Sequence, residues 1–551
     1  MPIKRPAYIF VSGGVLSGLG KGVTAASIAL LLQTRGYQVT PIKCENYLNI
    51  DSGLINPIEH GDPFLCDDGT EADMDMGTYE KFLHKNVLRH NFITMGQIYL
   101  EVIRKERNFE YNGEDVEMPH VTDEIIRRID EAAKIEESDI VVVELGGTAG
   151  EYLNVLYYEA SRVLKIVKKA EVVHVHVSYL PMPTHLGEPK TKPTQLSVKF
   201  LQGMGIQPDF IVCRGEQAID RRRRERLAMF CNVDPEHVIN NPDERTAYAV
   251  PLNFEAQRFA QKLLKALDLT ERPADLSNWE KLNVSIKASK KKSLEVAIVG
   301  KYFATGDYEL RDSYAALLDA LHHAGWASGA DIQIRYINSE RIERGEEITK
   351  LVEGACGIIV PIGWGPRGVE GKIAAIKFAR ENKVPYLGLC YGMQLAVVEF
   401  TRNVLGFKSA HTTECDSDTK YPVIHLIPTQ KEKMVRRAYG GTMRLGNWEC
   451  KVKAGTIAFE AYSKHPTWIR DHIVGERHRH RYEFNEVYAK QIEDKGLVIA
   501  GMSVVENLVE IIELPKDMHP FFLGTQFHPE YKSRPLSPHP LFLAYIKACL
   551  K

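Results

Sequence analysis

An α/β fold made of two doubly wound domains with mainly parallel sheets is predicted by three observations. Short, β-branched apolar runs flanked by glycine or polar turns alternate with longer segments of helical spacing. That alternation lapses once, near the middle of the chain, and then resumes. The first apolar run also feeds directly into a glycine-rich turn followed by a helical segment, the order in which such sheets hold phosphates.

Taken in order, Tyr8–Val11, Ile140–Glu144, Glu171–Val177 and Phe210–Cys213 read as buried parallel strands of the first domain. Val23–Thr34 and Thr122–Ile135 read as helices between them. From Glu271 to Lys292 the pattern gives way to Pro, Asp, Ser and Asn, closing on the lysine run Lys290 to Lys292. We therefore expect domains over 1–270 and 294–551 joined by a linker over 271–293. The second series opens with Leu294–Val299 and continues through Gly357–Val360, Tyr386–Leu389 and Leu523–Gln526. Arg221 to Arg224 form the densest charge cluster, read as a solvated helix face, with a phosphate- or subunit-facing patch as the alternative.

Composition narrows the function. Across 551 residues, 44% are apolar and 26% charged, the balance of a soluble globular protein, and the cysteine usage, read below as reduced thiols, leads us to expect a cytoplasmic protein. A net charge of -2 gives no basic field for a nucleic-acid polymer. No apolar stretch approaches the roughly 18 residues that span a bilayer, so no membrane partner is expected. The basic start, Met1 to Arg5, precedes an apolar run too short for a signal-peptide core. Nine scattered cysteines without a C-x-x-C pair read as reduced thiols, with neither a disulfide framework nor a structural zinc.

Two sets of residues carry chemistry. The strand Tyr8–Val11 runs into Ser12 to Thr24, where Gly18, Gly20 and Gly22 allow backbone N–H groups to converge on a phosphate and Lys21 adds a full charge. This is a variant loop, because Val15 stands where the usual phosphate loop has glycine and Gly22 where it has Ser or Thr. A bound triphosphate brings Mg²⁺, which takes one or two carboxylates. Candidates are Asp75, expected to share one side of an extended segment with Asp73, and Glu144, at the end of its strand beside Gly146 and Gly147. The stretch Gly187 to Gln195 packs cations, hydroxyls and an amide in a form that suits a second phosphate-bearing ligand. In the second half, Gly388-Leu389-Cys390-Tyr391-Gly392 lifts a cysteine out of a strand-to-helix turn, where the helix N-terminus favours thiolate. His528 is the matching base, and Glu530 can orient it and stabilise its protonated form.

These motifs, in this order and across essentially the whole chain, resemble CTP synthases: an amidoligase domain followed by a class I glutamine amidotransferase domain. The runs Lys190–Gln195 and Arg477–Tyr482 belong to that family more than to amidotransferases at large. The resemblance implies Cys390 as nucleophile, His528 as proton relay and Glu530 as its orienting partner, with Gly363, Tyr391, Gly392, Met393, Gln394, Glu414 and Arg481 holding glutamine and its oxyanion. It implies ATP phosphates held by Gly18, Leu19, Gly20, Lys21, Gly22 and Val23, and Mg²⁺ held by Asp75 and Glu144. UTP or CTP would meet Ser17, Lys43, Glu151, Tyr152, Leu153, Lys190, Thr191, Lys192, Pro193, Thr194, Gln195 and Arg226. It further implies transfer of a phosphoryl group to O4 of UTP, displacement by ammonia, GTP as activator, CTP as feedback inhibitor and a homotetramer with UTP sites between subunits.

The chain departs from the family in places. Ile362 stands in Pro361-Ile362-Gly363-Trp364-Gly365 for a family glycine, and a β-branched residue tolerates positive φ badly. Lys43 keeps its charge in a changed setting, Cys44-Glu45-Asn46; Glu151-Tyr152-Leu153 replaces D-I-E; Arg226 replaces a lysine; and 108–113 differs from R-G-D-Y-L-G. Two other functions stay open: a glutamine-dependent amidoligase with another acceptor, and a structural or regulatory relative with degenerate activity.

Overall fold

The computed structural model describes residues 5–57, 61–185, 187–289, 292–305, 308–309 and 311–551. Lys290 and Lys291 of the expected lysine run, and the first four residues of the basic start, lie outside the described residues. The chain forms two compact units, one from Met1–Ile50 with Asp75–Asn283 and one from Asp51–Met74 with Val284–Lys551.

The first unit is built on a seven-stranded sheet in the order Phe92–Thr94, Val39–Glu45, Ile140–Leu145, Ala7–Gly14, Val172–Tyr179, Phe210–Gly215, Val238–Pro242. Every pairing in it is parallel. Such strands are covered on both faces, which is why they read as nearly continuous apolar runs. Tyr8 and Phe10 enter one core with Val141 and Val143. Ile9, Val11 and Val142 are equally buried on the alternate positions. Register sets Lys43 beside Glu144 and Glu144 beside Val11, so charged side chains gather at the carboxyl ends of two adjacent strands, next to the strand that leads into the phosphate loop.

The second unit has a nine-stranded sheet. Its first five strands, Asp331–Asn338, Ser293–Gly300, Gly357–Val360, Tyr386–Leu389 and Phe522–Thr525, are parallel. Four antiparallel strands extend it: Val509–Leu514, Val498–Ser503, Arg444–Val452 and Ile473–His480. Val296 and Ile298 bury into one core and Ala297 and Val299 into another, so the sheet is packed on both faces.

Two local expectations change. Asp73 and Asp75 do not share an extended segment, because a helix runs Met74–Leu83 and puts Asp75 in its first turn. A carboxylate there meets the positive end of the helix, which favours it. The stretch 271–293 holds a helix, Ser277–Ser289, in which Trp279, Leu282 and Ile286 are buried. No described helix is long and apolar enough to cross a membrane.

Candidate functional site

The phosphate loop follows Ala7–Gly14, and its helix, Lys21–Gln33, begins after Gly20, which lies at φ 83°. Val15 is also at φ 83°, a left-handed conformation costly for a β-branched side chain, at the position where glycine is usual. The Lys21 side chain folds over Gly13, where an added Cβ would come 2.5 Å from Lys21 Cδ. Its Nζ donates to Gly147 O at 2.8 Å. Burial, then the neighbouring Lys43, lowers its pKa. Gly22 leaves room for Asp75: a Cβ there would stand 2.0 Å from Asp75 Oδ1. The departure from Ser or Thr at position 22 thus has a steric cause.

Lys43 Nζ donates to Asp75, to Glu144 Oε1 at 2.8 Å, and lies 3.2 Å from Glu45 Oε1. The Tyr79 hydroxyl donates to Glu144. Burial, then the charge of Asp75, pushes Glu144 up to about 7 against the opposing pull of Lys43 and Lys21. Burial works against Asp75 as well, but Lys43 and Lys21 outweigh it and lower its pKa. Among the described residues no three or more His, Cys, Asp or Glu side chains cluster as a complete metal cage. Two hard carboxylates beside a phosphate loop fit Mg²⁺, which takes its remaining ligands from phosphates and water.

The segment 190–195 lies at the start of the helix Lys192–Gly203. Ser178 Oγ donates to Thr194 Oγ1 at 2.9 Å, and Gln195 Nε2 donates to Thr191 Oγ1 at 3.2 Å, so three of the six residues serve as buried anchors. Lys190 pairs with Glu188, while Lys192 is exposed. Buried His176 joins this helix to the phosphate-loop strand, lying 2.7 Å from Ser197 Oγ and 2.9 Å from Ser12 Oγ. Just before the segment, Arg223 donates to Glu188 Oε2 at 2.5 Å and to Pro189 O at 3.2 Å. Arg226 is exposed over the Phe230 ring. Glu151 turns onto its own loop, accepting from Thr148 N and Asn46 Nδ2, each at 2.6 Å, while Ser17, Tyr152 and Leu153 are exposed.

In the second unit Cys390 ends the strand Tyr386–Leu389 at φ 51° and precedes the helix Tyr391–Asn403. The turn is tight, since a Cβ on Gly392 would stand 2.0 Å from Val360 O. The first N–H groups of that helix have no intrahelical partner and face a ligand as donors. The Cys390 thiol is directed at Arg479 O, 3.8 Å away, and Gln526 Nε2 donates to the sulfur at 3.6 Å. His528 Nδ1 lies 2.8 Å from Glu530 Oε1. Burial opposes a charge on His528, yet Glu530 and Cys390 beside it raise it to about 10, which favours the imidazolium.

Gly363 sits between two lysines, where a Cβ would come 2.8 Å from Lys301 Cε and 2.9 Å from Lys372 Nζ. Lys372 Nζ donates to Pro361 O at 2.9 Å, and Lys301 Nζ donates to Trp364 O, to Gly365 O at 2.8 Å and to Arg367 O at 3.2 Å. Ile362 needs no positive φ, so the departure there is accommodated without strain. Glu414 Oε1 accepts from Gly365 N at 2.7 Å, and the Tyr391 hydroxyl donates to Gly365 O at 3.2 Å. Met393 and Gln394 bury their side chains, and Gln394 Nε2 donates to Tyr482 O at 2.9 Å and Gln526 Oε1 at 3.1 Å. Arg481, Glu414, Trp364, Tyr482 and Met443 line a cavity of about 400 Å³; Arg481 is held by Gln430 Oε1 at 2.7 Å and Tyr439 O at 2.6 Å. Lys301, Lys372, Arg479 and Gln526 were not singled out for these roles by sequence. Gln526 lies inside the Q-F-H-P-E motif and Arg479 inside the Arg477–Tyr482 run, whereas Lys372 carried no local signal.

A phosphate-loop α/β unit and a cysteine–histidine–glutamate unit on one chain define a glutamine-dependent synthetase of the amidotransferase type. The comparisons agree: a family model described as CTP synthase N-terminus matches residues 7–269, and one described as glutamine amidotransferase class-I matches 309–548. The chain is 48% identical to the CTP synthase of Caldanaerobacter subterraneus subsp. tengcongensis, covering 98% of each chain. It is 48% identical to that of Pyrococcus abyssi, covering 98% of this chain and 97% of that one. With the CTP synthase of Geobacillus kaustophilus it shares 45% identity over 99% of both. Among solved structures, the glutaminase domain of Trypanosoma brucei CTPS with bound acivicin aligns at TM-score 0.41 and 34% identity, covering 47% of this chain and 94% of that one. The chain belongs to the CTP synthase family, the glutamine-hydrolysing C–N ligases.

Proposed function

We propose that this chain aminates UTP to CTP, using ATP and the amide nitrogen of glutamine, with the two half-reactions divided between its two units. The observation that carries the reading is the pairing of Cys390, His528 and Glu530 in one unit with Lys21, Asp75 and Glu144 in the other. In the amidotransferase unit Cys390 Sγ attacks the side-chain amide carbon of glutamine. His528 returns a proton to the departing nitrogen, and Glu530 holds the imidazole in register for that transfer. The backbone around Gly363 and the start of the helix at Tyr391 receive the oxyanion. Glu414 and Arg481 hold the amino-acid end of glutamine.

In the nucleotide unit, residues 18–23 cradle the ATP phosphates and Lys21 follows the transferring phosphoryl group. Mg²⁺ on Asp75 and Glu144 would neutralise charge between the phosphates. Lys43, already hydrogen-bonded to both carboxylates, keeps them converged. O4 of UTP becomes a phosphate ester, and ammonia then displaces phosphate at C4. Lys190 to Gln195, Ser17 and Arg226 bind the UTP triphosphate, with Arg226 reaching it across a subunit boundary in a homotetramer. GTP activates the glutamine half. CTP feedback is weakened, because Leu153 offers no carboxylate to the product ring. The protein works in the cytoplasm. Incubation with ATP, Mg²⁺, UTP and glutamine should yield CTP, ADP, phosphate and glutamate. Amination of another acceptor in preference to UTP would replace this reading with that of a different amidoligase.

A further inference from the structure

Between Ile50 and Asp75 the chain leaves the nucleotide unit and is built into the amidotransferase unit. Phe64–Leu65 pairs antiparallel with Glu71–Ala72, and the excursion is fastened there by two buried arginines. Arg477 donates to Asp67 Oδ1 at 2.5 Å and Leu65 O at 2.9 Å. Arg479 donates to Glu71 Oε1 at 2.7 Å, Asp62 Oδ1 at 3.3 Å and Gly53 O at 3.2 Å. The backbone carbonyl of the same Arg479 receives the Cys390 thiol.

A second connection reaches His528. Tyr531 stacks its ring on the imidazole, with centroids 5.1 Å apart and planes 23° from parallel. Its hydroxyl shares one proton between Asp62 Oδ2, 2.8 Å away, and Pro63 O, 2.9 Å away. Phe64 packs edge-on against the tyrosine, at 5.4 Å and 77°. Asp62, Tyr531 and His528 are all buried. Glu530 fixes the imidazole at Nδ1, which leaves rotation about that hydrogen bond free. A ring stacked against the imidazole opposes that rotation, and the hydrogen bonds of the Tyr531 hydroxyl help hold the ring in place.

We propose that the segment 51–74 is the positioning element of the cysteine–histidine pair: Asp62 fixes Tyr531, and Tyr531 sets the tilt of the His528 imidazole toward Cys390. This deepens the proposed function and rests on its assignment of Cys390 and His528 as nucleophile and base. Tyr531 and Asp62 are positioning residues, since they act through His528. The excursion is bounded at one end by Asp75, so the stretch that orients the glutamine-cleaving pair runs directly into a carboxylate proposed for the metal.

The test uses the full chain. Tyr531→Phe keeps the ring and removes the hydroxyl, while Asp62→Asn keeps the volume and removes the charge. Each should lower kcat for glutamine hydrolysis roughly 10-fold, since small misplacements of a catalytic group are costly. KM for glutamine should stay within twofold. Alkylation of Cys390 by iodoacetamide should slow in parallel with kcat. The double variant should be no worse than the poorer single one, because both break the same link. Should Asp62→Asn fail to fold, Tyr531→Phe alone decides. Hydrolysis and alkylation within twofold of the parent protein in Tyr531→Phe would overturn the proposal, as would a rise in KM with kcat unchanged. Failure of the underlying assignment looks different: Cys390→Ala would then retain glutamine hydrolysis.

Discussion

Lys301 and Lys372 end against the carbonyls of residues 361 to 367, the stretch that contains Gly363. Burial lowers both ammonium groups, Lys301 to about 8, and each is tolerated because peptide oxygens surround it. With its carbonyls pinned, and with Trp364 N and Gly365 N donating to Tyr302 and Glu414, that stretch holds Gly363 in place, so little reorganisation is needed when charge develops at the proposed oxyanion site. Lys372→Met keeps the aliphatic stem and orphans buried carbonyls. We predict a fall of about 10-fold in kcat for glutamine hydrolysis, smaller than the loss of a direct oxyanion donor. Steady-state kinetics checks it, with KM for glutamine changing little; an unaltered kcat contradicts it. The residues proposed as catalytic could be picked out in sequence because their chemistry is local. Cys390 lies between two glycines that permit its φ of 51°, and His528 and Glu530 are two residues apart. Lys372 and Asp62 gave no such signal, since what each touches is fixed by folding over long separations and not by neighbours in the chain.

At the scale of elements, the helix Lys21–Gln33 must start where the helix Met74–Leu83 brings Asp75, and Gly22 is the clearance between them. Gly22→Ser would restore the common phosphate-loop residue and push the Asp75 carboxylate aside. We predict a drop of at least ~10²-fold in ammonia-dependent CTP formation, about 2.7 kcal/mol of barrier. Glutamine hydrolysis should be unaffected, and a coupled assay with ammonium chloride in place of glutamine checks both. Normal synthesis would show that Asp75 has room to spare. The parallel strands were readable because burial on both faces leaves continuous apolar runs. The antiparallel half of the second sheet was not, because its strands carry buried ions. In Ile473–His480 the residues Arg477, His478 and Arg479 are all buried and paired, which composition alone takes for surface. The two-residue strands at Phe64–Leu65 and Glu71–Ala72 are too short to show any period.

For the whole molecule, acid should loosen the nucleotide unit first at the strand Val172–Tyr179. Burial, helped by Lys165 for His174 and by Lys21 for His176, lowers both histidines to about 3. Unfolded, each takes up its proton near 6.5. The stability they contribute is therefore complete above that pH and is lost as pH falls through the interval toward 3. The slope is about 1.4 kcal/mol per pH unit for each histidine. Hydrogen exchange of that strand should show protection falling from pH 6.5 to 5, and less steeply in His174→Gln; an equal fall in both would contradict it. The central claim is that one unit makes ammonia from glutamine and the other spends it on UTP. Cys390→Ala, assayed in parallel with glutamine and with ammonium chloride, tests it most directly. We predict no CTP from glutamine and CTP at the parent rate from ammonium. CTP still formed from glutamine, or lost from both sources in a folded protein, would contradict the account.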